Sequence, residues 1–149
     1  MSIAIGCDDA AIELKEIIKE HLLSKGQETC DYGVVDKAGP LYPDIAKAVS
    51  VAVKDGKHER GILLCGTGIG VCITANKIPG IRAALCHDTF SAERARKSND
   101  AQIITMGARV IGSELAKSII DVWLVSEFKD GPSTIKVERI KEIDKEFSI

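Results

Sequence analysis

Three observations predict an α/β fold, a parallel sheet covered by helices on both faces. Short apolar runs alternate with helix-period stretches along the chain, which is the pattern of strands joined by right-handed crossovers. The most apolar run, Ile62-Leu63-Leu64-Cys65, passes without a polar break into Gly66-Thr67-Gly68-Ile69-Gly70 and then into the helix-compatible Val71 to Lys77, so a buried strand, a glycine turn and a helix start follow one another. The 149 residues, with ordinary apolar and charged fractions, suit one domain over 1–149 with a real core.

Ser2 to Gly6 is a short apolar strand that opens on Cys7-Asp8-Asp9, and either aspartate can cap the turn starting near Ala10. Ala11 to Leu23 places Ile12, Leu14, Ile17, Ile18 and Leu22 at helical spacing, Gly26 ends the helix, and Lys15, Lys19, Glu20 and His21 are read as its solvated side. Glu28 to Tyr32 is a weak strand followed by a loop through Gly33, Gly39 and Pro40; Pro43 suits a first helical turn, and Ile45 to Val53 is an amphipathic helix running to Gly56. After the glycine stretch, Gly80 to Cys86 reads as the fourth strand, ending at His87-Asp88-Thr89, with a helix over Phe90 to Lys97 and a polar turn at Ser98-Asn99-Asp100. Gln102 to Met106 is the fifth strand, Gly107-Ala108-Arg109 leads to a helix from Ser113 to Val125, and Lys129 to Ser133 breaks the chain before a charged helix, Thr134 to Phe147. Ile135, Ile140 and Ile143 form a narrow apolar stripe there, which packs on its own domain or on a second copy, the latter placing Lys136 in a neighbour's cleft.

Composition narrows the function. The net charge of −2, scarce aromatics and lack of a basic stripe argue against nucleic-acid binding. No signal-like start and no apolar stretch long enough to span a bilayer is present, so no membrane partner and a cytoplasmic location are expected. Five cysteines without a C-x-x-C pair and three dispersed histidines fit reduced thiols and no metal or cofactor.

In open parallel sheets ligands bind beyond the carboxyl ends of the strands. Those ends carry Cys7-Asp8-Asp9, Cys65-Gly66-Thr67, His87-Asp88 and Met106 to Arg109. A glycine loop with unpaired N–H groups receives an anion, and Cys65 puts a thiol at its rim, where it can serve as base or nucleophile, with the Thr67 hydroxyl beside it. Carboxylates at the first strand and a thiol with an anion site at the third suit a small polyol bearing a carbonyl. A dinucleotide module fits less well, because the loop is G-x-G-x-G and follows the third strand. A cysteine phosphatase would want an arginine at the loop's end, where Gly70, Val71 and Cys72 stand.

The chain resembles the ribose-5-phosphate isomerase B type of sugar-phosphate isomerase, which includes the galactose-6-phosphate isomerase subunits. The resemblance rests on Gly6-Cys7-Asp8, Tyr42-Pro43, Cys65 to Gly70, Ala75-Asn76-Lys77, Gly80 to Ala83, Ser91-Ala92, Asn99-Asp100 and Gly107 to Gly112. It implies a Rossmann-like three-layer sandwich with a five-stranded parallel sheet and a C-terminal helix. It also implies a metal-independent aldose–ketose isomerase that works as a homodimer or dimer of dimers with sites shared between subunits. Carried onto this sequence, Cys65 is the base that moves a proton between C1 and C2 of the open-chain sugar. The backbone N–H groups of Gly66, Gly68, Ile69 and Gly70, with Thr67, stabilise the enediolate. Asp8 and Asn99 hold sugar hydroxyls, Asp9 and Tyr42 line the site, and Arg109 and Lys136 bind phosphate.

Three positions depart from the family pattern. Asp9 stands where a histidine is common, Ser98 stands where many members have the histidine thought to open the furanose ring, and Gly131-Pro132-Ser133 with Lys136 replaces a segment with two arginines. Either Ser98, or a water it holds, takes over ring opening of ribose 5-phosphate, the expected substrate, or the enzyme takes another aldose such as allose or a hexose 6-phosphate. A non-catalytic small-molecule binding domain is the remaining alternative.

Overall fold

The computed structural model describes residues 2–34 and 41–149, so the expected loop positions Gly39 and Pro40 lie outside the described residues. In chain order the elements are β1 (Ile3–Cys7), a 3-10 turn (Asp9–Ala11), α1 (Ile12–Ser24), β2 (Thr29–Val34), α2 (Tyr42–Lys54), β3 (Arg60–Cys65), α3 (Ile69–Ala75), β4 (Ala83–Leu85), α4 (Thr89–Lys97), β5 (Ile103–Gly107), α5 (Ser113–Val125) and α6 (Thr134–Phe147). The five strands are parallel in the order β2-β1-β3-β5-β4, as the α/β reading requires.

Alternation along each strand divides the core. Ile3, Ile5, Ile62, Leu64, Ile104 and Met106 face α1, α4 and α5, packing on Leu14, Ile18, Ala92, Ile119 and Trp123. Ala4, Leu63, Cys65 and Ile103 face α2 and α3, packing on Ala46, Val49, Val71 and Ala75. Both faces of β1, β3 and β5 are buried, which is why they read as continuous apolar runs rather than alternating ones.

Several boundaries differ from expectation for identifiable reasons. The fourth strand is only Ala83–Leu85, because the N–H groups before it go to side chains: Arg82 N–H donates to Gln102 Oε1 at 2.8 Å and Gly80 N–H to Asp144 Oδ2 at 2.5 Å, leaving only the Arg82 carbonyl, at 3.4 Å from the Ile103 nitrogen, bonded to β5. Helix α2 starts at Tyr42, because Leu41 and Asp44 exchange bonds, Leu41 N–H to Asp44 Oδ2 at 3.1 Å and Asp44 N–H to Leu41 O at 2.9 Å. His21 is half-buried rather than solvated, with Nε2 2.6 Å from Asp121 Oδ1 on α5. On α6 it is Val137 that is buried, while Ile135, Ile140 and Ile143 stay 76%, 42% and 42% exposed, so the stripe does not pack on its own chain. Among the described residues no helix is long and apolar enough to cross a membrane.

One buried cation closes the amino end of the sheet. Arg60, the first residue of β3, is fully buried and donates to the carbonyls of Trp123 (2.6 Å), Leu124 (3.1 Å) and Ser126 (2.9 Å), the open carboxyl end of α5. Its guanidinium also lies 5.3 Å from the Trp123 ring centroid. Removing it leaves the Leu124 and Ser126 carbonyls without this donor and the Trp123 carbonyl with only the Ser126 N–H, and Arg60→Ala is expected to cost about 3 kcal/mol or more of stability, read by urea denaturation.

Candidate active site

The helices after β1 and β3 leave toward opposite faces, α1 toward α5 and α3 toward α2, so a crevice opens between the carboxyl ends of these two neighbouring strands. Asp8 stands on one side and Cys65 on the other. Asp8 N–H extends the ladder to Leu64 O at 3.1 Å, and its Oδ1 accepts the Ala10 N–H at 3.0 Å, the capping bond foreseen from the sequence. Oδ2 has no hydrogen-bond partner among the described residues. Asp9 is exposed at the start of the 3-10 turn.

Cys65 is 6% exposed and sits in the layer with α2 and α3. The Gly68 N–H donates to its Sγ at 3.0 Å. Gly68 is the N-cap of α3 with φ +76°, in the left-handed region, and a Cβ there would come within 2.7 Å of the Met106 carbonyl carbon; only glycine fits. Its own carbonyl is held by the Thr105 hydroxyl at 2.9 Å. Thr67 is exposed, and its hydroxyl accepts the Ile69 N–H at 3.2 Å. The N–H groups of Gly66 and Thr67 make no bond to a described residue, which leaves two donors beside the sulfur.

The loop after β5 completes this wall. Ala108 N–H donates to Cys65 O at 2.9 Å and Arg109 N–H to Gly66 O at 3.0 Å, extending the ladder past the strand ends. The Arg109 side chain folds back over Gly66, with Nη1 3.5 Å from where a Cβ would sit, and it forms no ion pair or side-chain hydrogen bond among the described residues. Tyr42, at the start of α2, lays its ring on Gly70, where a Cβ would come within 2.5 Å of Oη, yet it remains 39% exposed beside the glycine loop.

Ser98, Asn99 and Lys136 are not part of this cluster. Helix α4 runs back toward the amino ends of the strands, Ser98 is its C-cap, and Asn99 precedes β5. Four steps of about 3.3 Å along β5 separate its start from Gly107, the residue opposite Cys65, so Asn99 is more than about 13 Å from the thiol in its own chain. There the Asn99 carbonyl accepts from Arg82 Nε at 3.1 Å, and Ser98 Oγ accepts from Arg94 Nη1 at 3.4 Å. Lys136 is exposed on α6, whose Asp144 is bonded to Gly80 rather than to any residue of the crevice.

The Ribose/Galactose Isomerase family model matches residues 3–140. The chain belongs to this family. It is 62% identical to a D-erythrulose-4-phosphate isomerase of Pectobacterium atrosepticum, over 94% of this chain and 93% of that one. It is 56% identical to a ribose-5-P isomerase B of Listeria innocua, with 97% of each covered. The ribose-5-phosphate isomerase B of Clostridium thermocellum superposes with a TM-score of 0.94 at 44% identity, covering 99% of this chain and all of the other. The sugar-phosphate isomerase assignment and the Rossmann-like α/β fold drawn from the sequence both stand.

Within this isomerase the five cysteines separate physically. Burial pushes the Cys7 thiol up to about 11 and the Cys86 thiol up to about 12, and also raises Cys72. Cys30 is exposed on the edge strand β2. Only Cys65 combines a strand-end position with a glycine loop and free donors. No group of His, Cys, Asp or Glu residues able to hold a metal ion occurs among the described residues.

His87 was placed at a strand end by the sequence but given no role there. It is half-buried, and its Nε2 accepts at 2.9 Å the N–H of Gly107, the residue paired with Cys65. Its place at the end of an apolar strand was the available signal.

The contact between β5 and the glycine loop is testable. A Cβ on Gly107 would lie 2.6 Å from the Thr67 carbonyl atoms, whereas one on Gly70 meets only the movable Tyr42 ring. Gly107→Ala is therefore expected to lower isomerase kcat about tenfold or more, and Gly70→Ala less than about threefold, in steady-state assays of the folded variants.

Proposed function

We propose that this isomerase interconverts D-erythrulose 4-phosphate and D-erythrose 4-phosphate through an enediolate. The observation that carries this reading is Ser98, which stands, by the resemblance to the family, where many members have the histidine associated with furanose ring opening. A furanose needs a free hydroxyl on C4, and in a tetrose 4-phosphate that oxygen is esterified. Such a sugar is always open-chain, so an enzyme acting on it has no ring to open. The 62% identity to the Pectobacterium D-erythrulose-4-phosphate isomerase supports the same substrate.

In this reading the Cys65 thiolate removes a proton from C1 of the ketose, the O1 hydroxyl proton passes to O2 within the enediolate, and the thiol returns its proton to C2, leaving the carbonyl at C1 and so the aldose. The Gly66 and Thr67 N–H groups and the Thr67 hydroxyl face the charge that develops on the carbonyl oxygens. The free oxygen of Asp8 holds a sugar hydroxyl, and the unpaired Arg109 takes the phosphate. No step passes through a metal, and EDTA should leave the rate unchanged.

Asn99, Ser98 and Lys136 enter the reading only from a second copy, because their own chain keeps Asn99 at the far end of the sheet. A homodimer also gives a partner to exposed apolar residues of α3 and α4, Ile69, Ile73 and Phe90, which are 50%, 57% and 71% exposed.

Ribose 5-phosphate is the second reading, favoured by the 56% identity to the Listeria ribose-5-P isomerase B. Steady-state kinetics on both sugars separate the two. The tetrose reading predicts kcat/KM at least about tenfold higher for D-erythrulose 4-phosphate, and a preference for ribose 5-phosphate would reverse the assignment. Cys65→Ala should lower kcat on the better substrate by about a hundredfold to ten-thousandfold with the melting temperature kept; unchanged turnover would remove Cys65 as the base.

A further inference from the structure

We infer that His87 is a positioning residue for the catalytic loop, an inference that rests on Cys65 being the base. Strand β4 pairs with β5 as far as Leu85 opposite Thr105, and Cys86 N–H still reaches Thr105 O at 3.0 Å. The next donor of β5 on that side is the Gly107 N–H, and by then β4 has ended. The position is buried, so an unfilled donor there would be costly. The His87 side chain supplies the missing acceptor, Nε2 at 2.9 Å, which fixes the neutral ring with its proton on Nδ1.

Gly107 is the peptide on which the reacting end of the site is seated. It lies opposite Cys65 in the ladder, its backbone touches Thr67, and its nitrogen lies 3.0 Å from where a Cβ on Gly68 would sit. Its carbonyl accepts the Val110 and Ile111 N–H groups at 3.0 and 3.2 Å and so holds the turn that carries Arg109. A Gly107 peptide without its acceptor would rotate toward water, and the surfaces that carry Thr67 and the Gly68 N–H to Cys65 Sγ would shift with it. The site would still bind substrate, but its donors would no longer stand where charge develops, and such a loss falls on kcat more than on KM.

His87→Leu, which keeps bulk without an acceptor, and His87→Gln, whose amide oxygen reaches the same place, test this alongside Cys65→Ser. Kinetics on D-erythrulose 4-phosphate and ribose 5-phosphate, and melting temperatures, are read for each. The expected result is a kcat about tenfold lower for His87→Leu with KM within about twofold, and recovery to within about threefold of wild type in His87→Gln. A fully active His87→Leu beside an inactive Cys65→Ser would overturn the inference while leaving the base in place. A Gln variant no better than Leu at equal melting temperature, or a loss confined to KM, would overturn it as well. Should the Leu variant not fold, a Gln variant that folds and has lost kcat would do the same. An active Cys65→Ser would instead remove the reading on which the inference rests.

Discussion

The site depends on the pairing of β3 with β5 at their carboxyl ends. Cys65 lies opposite Gly107, and the ladder runs on through Ala108 N–H to Cys65 O and Arg109 N–H to Gly66 O. This run of backbone bonds joins the backbones of Cys65, the glycine loop and Arg109 into one unit, so in the proposed reaction the thiol and the loop donors need no ordering when substrate arrives. Thr105 and His87 reinforce it from the β5 side, one through the Gly68 carbonyl and the other through the Gly107 N–H.

The same topology that gathers Asp8, Cys65 and Arg109 keeps Asn99 away from them. An α/β crossover returns the chain to the amino end of the sheet before each new strand, so a residue just before β5 is at the opposite end from one just after β3. Asn99 is such a residue. Its loop is tightly held even so: Asp100 has φ +48° and bonds to both Arg82 and Arg96. A loop built with this care, at the wrong end for its own thiol, is what a site shared between two copies would require. A serine within that loop also suits a substrate with no ring to open.

Much of the fold was legible because buried parallel strands leave long apolar runs and glycines mark their ends. The boundaries that were misjudged are those decided by side chains reaching across the molecule, such as Gln102 and Asp144 replacing the ladder before β4, or Asp44 drawing α2 back to Tyr42. Among site residues, Asp8, Cys65, Thr67, Tyr42 and Arg109 were readable because each stands at a strand or helix end. His87 stands at one too, but a lone histidine carries no spacing signal, and its partner is a backbone N–H that no sequence pattern displays. Arg60 was silent for a similar reason, since its acceptors are carbonyls at the end of a helix far along the chain.

The most direct test of a site completed by a second copy is subunit mixing. Cys65→Ala and Asn99→Ala proteins, each inactive alone, are dissociated, combined in equal amounts and allowed to reassociate. A mixed dimer then pairs the Cys65 of one chain with the Asn99 of the other in one of its two sites, and random pairing predicts recovery of about a quarter of wild-type activity. No recovery, with exchange of subunits shown by native mass spectrometry, would contradict a shared site and return the whole reaction to the residues around Cys65 in a single chain.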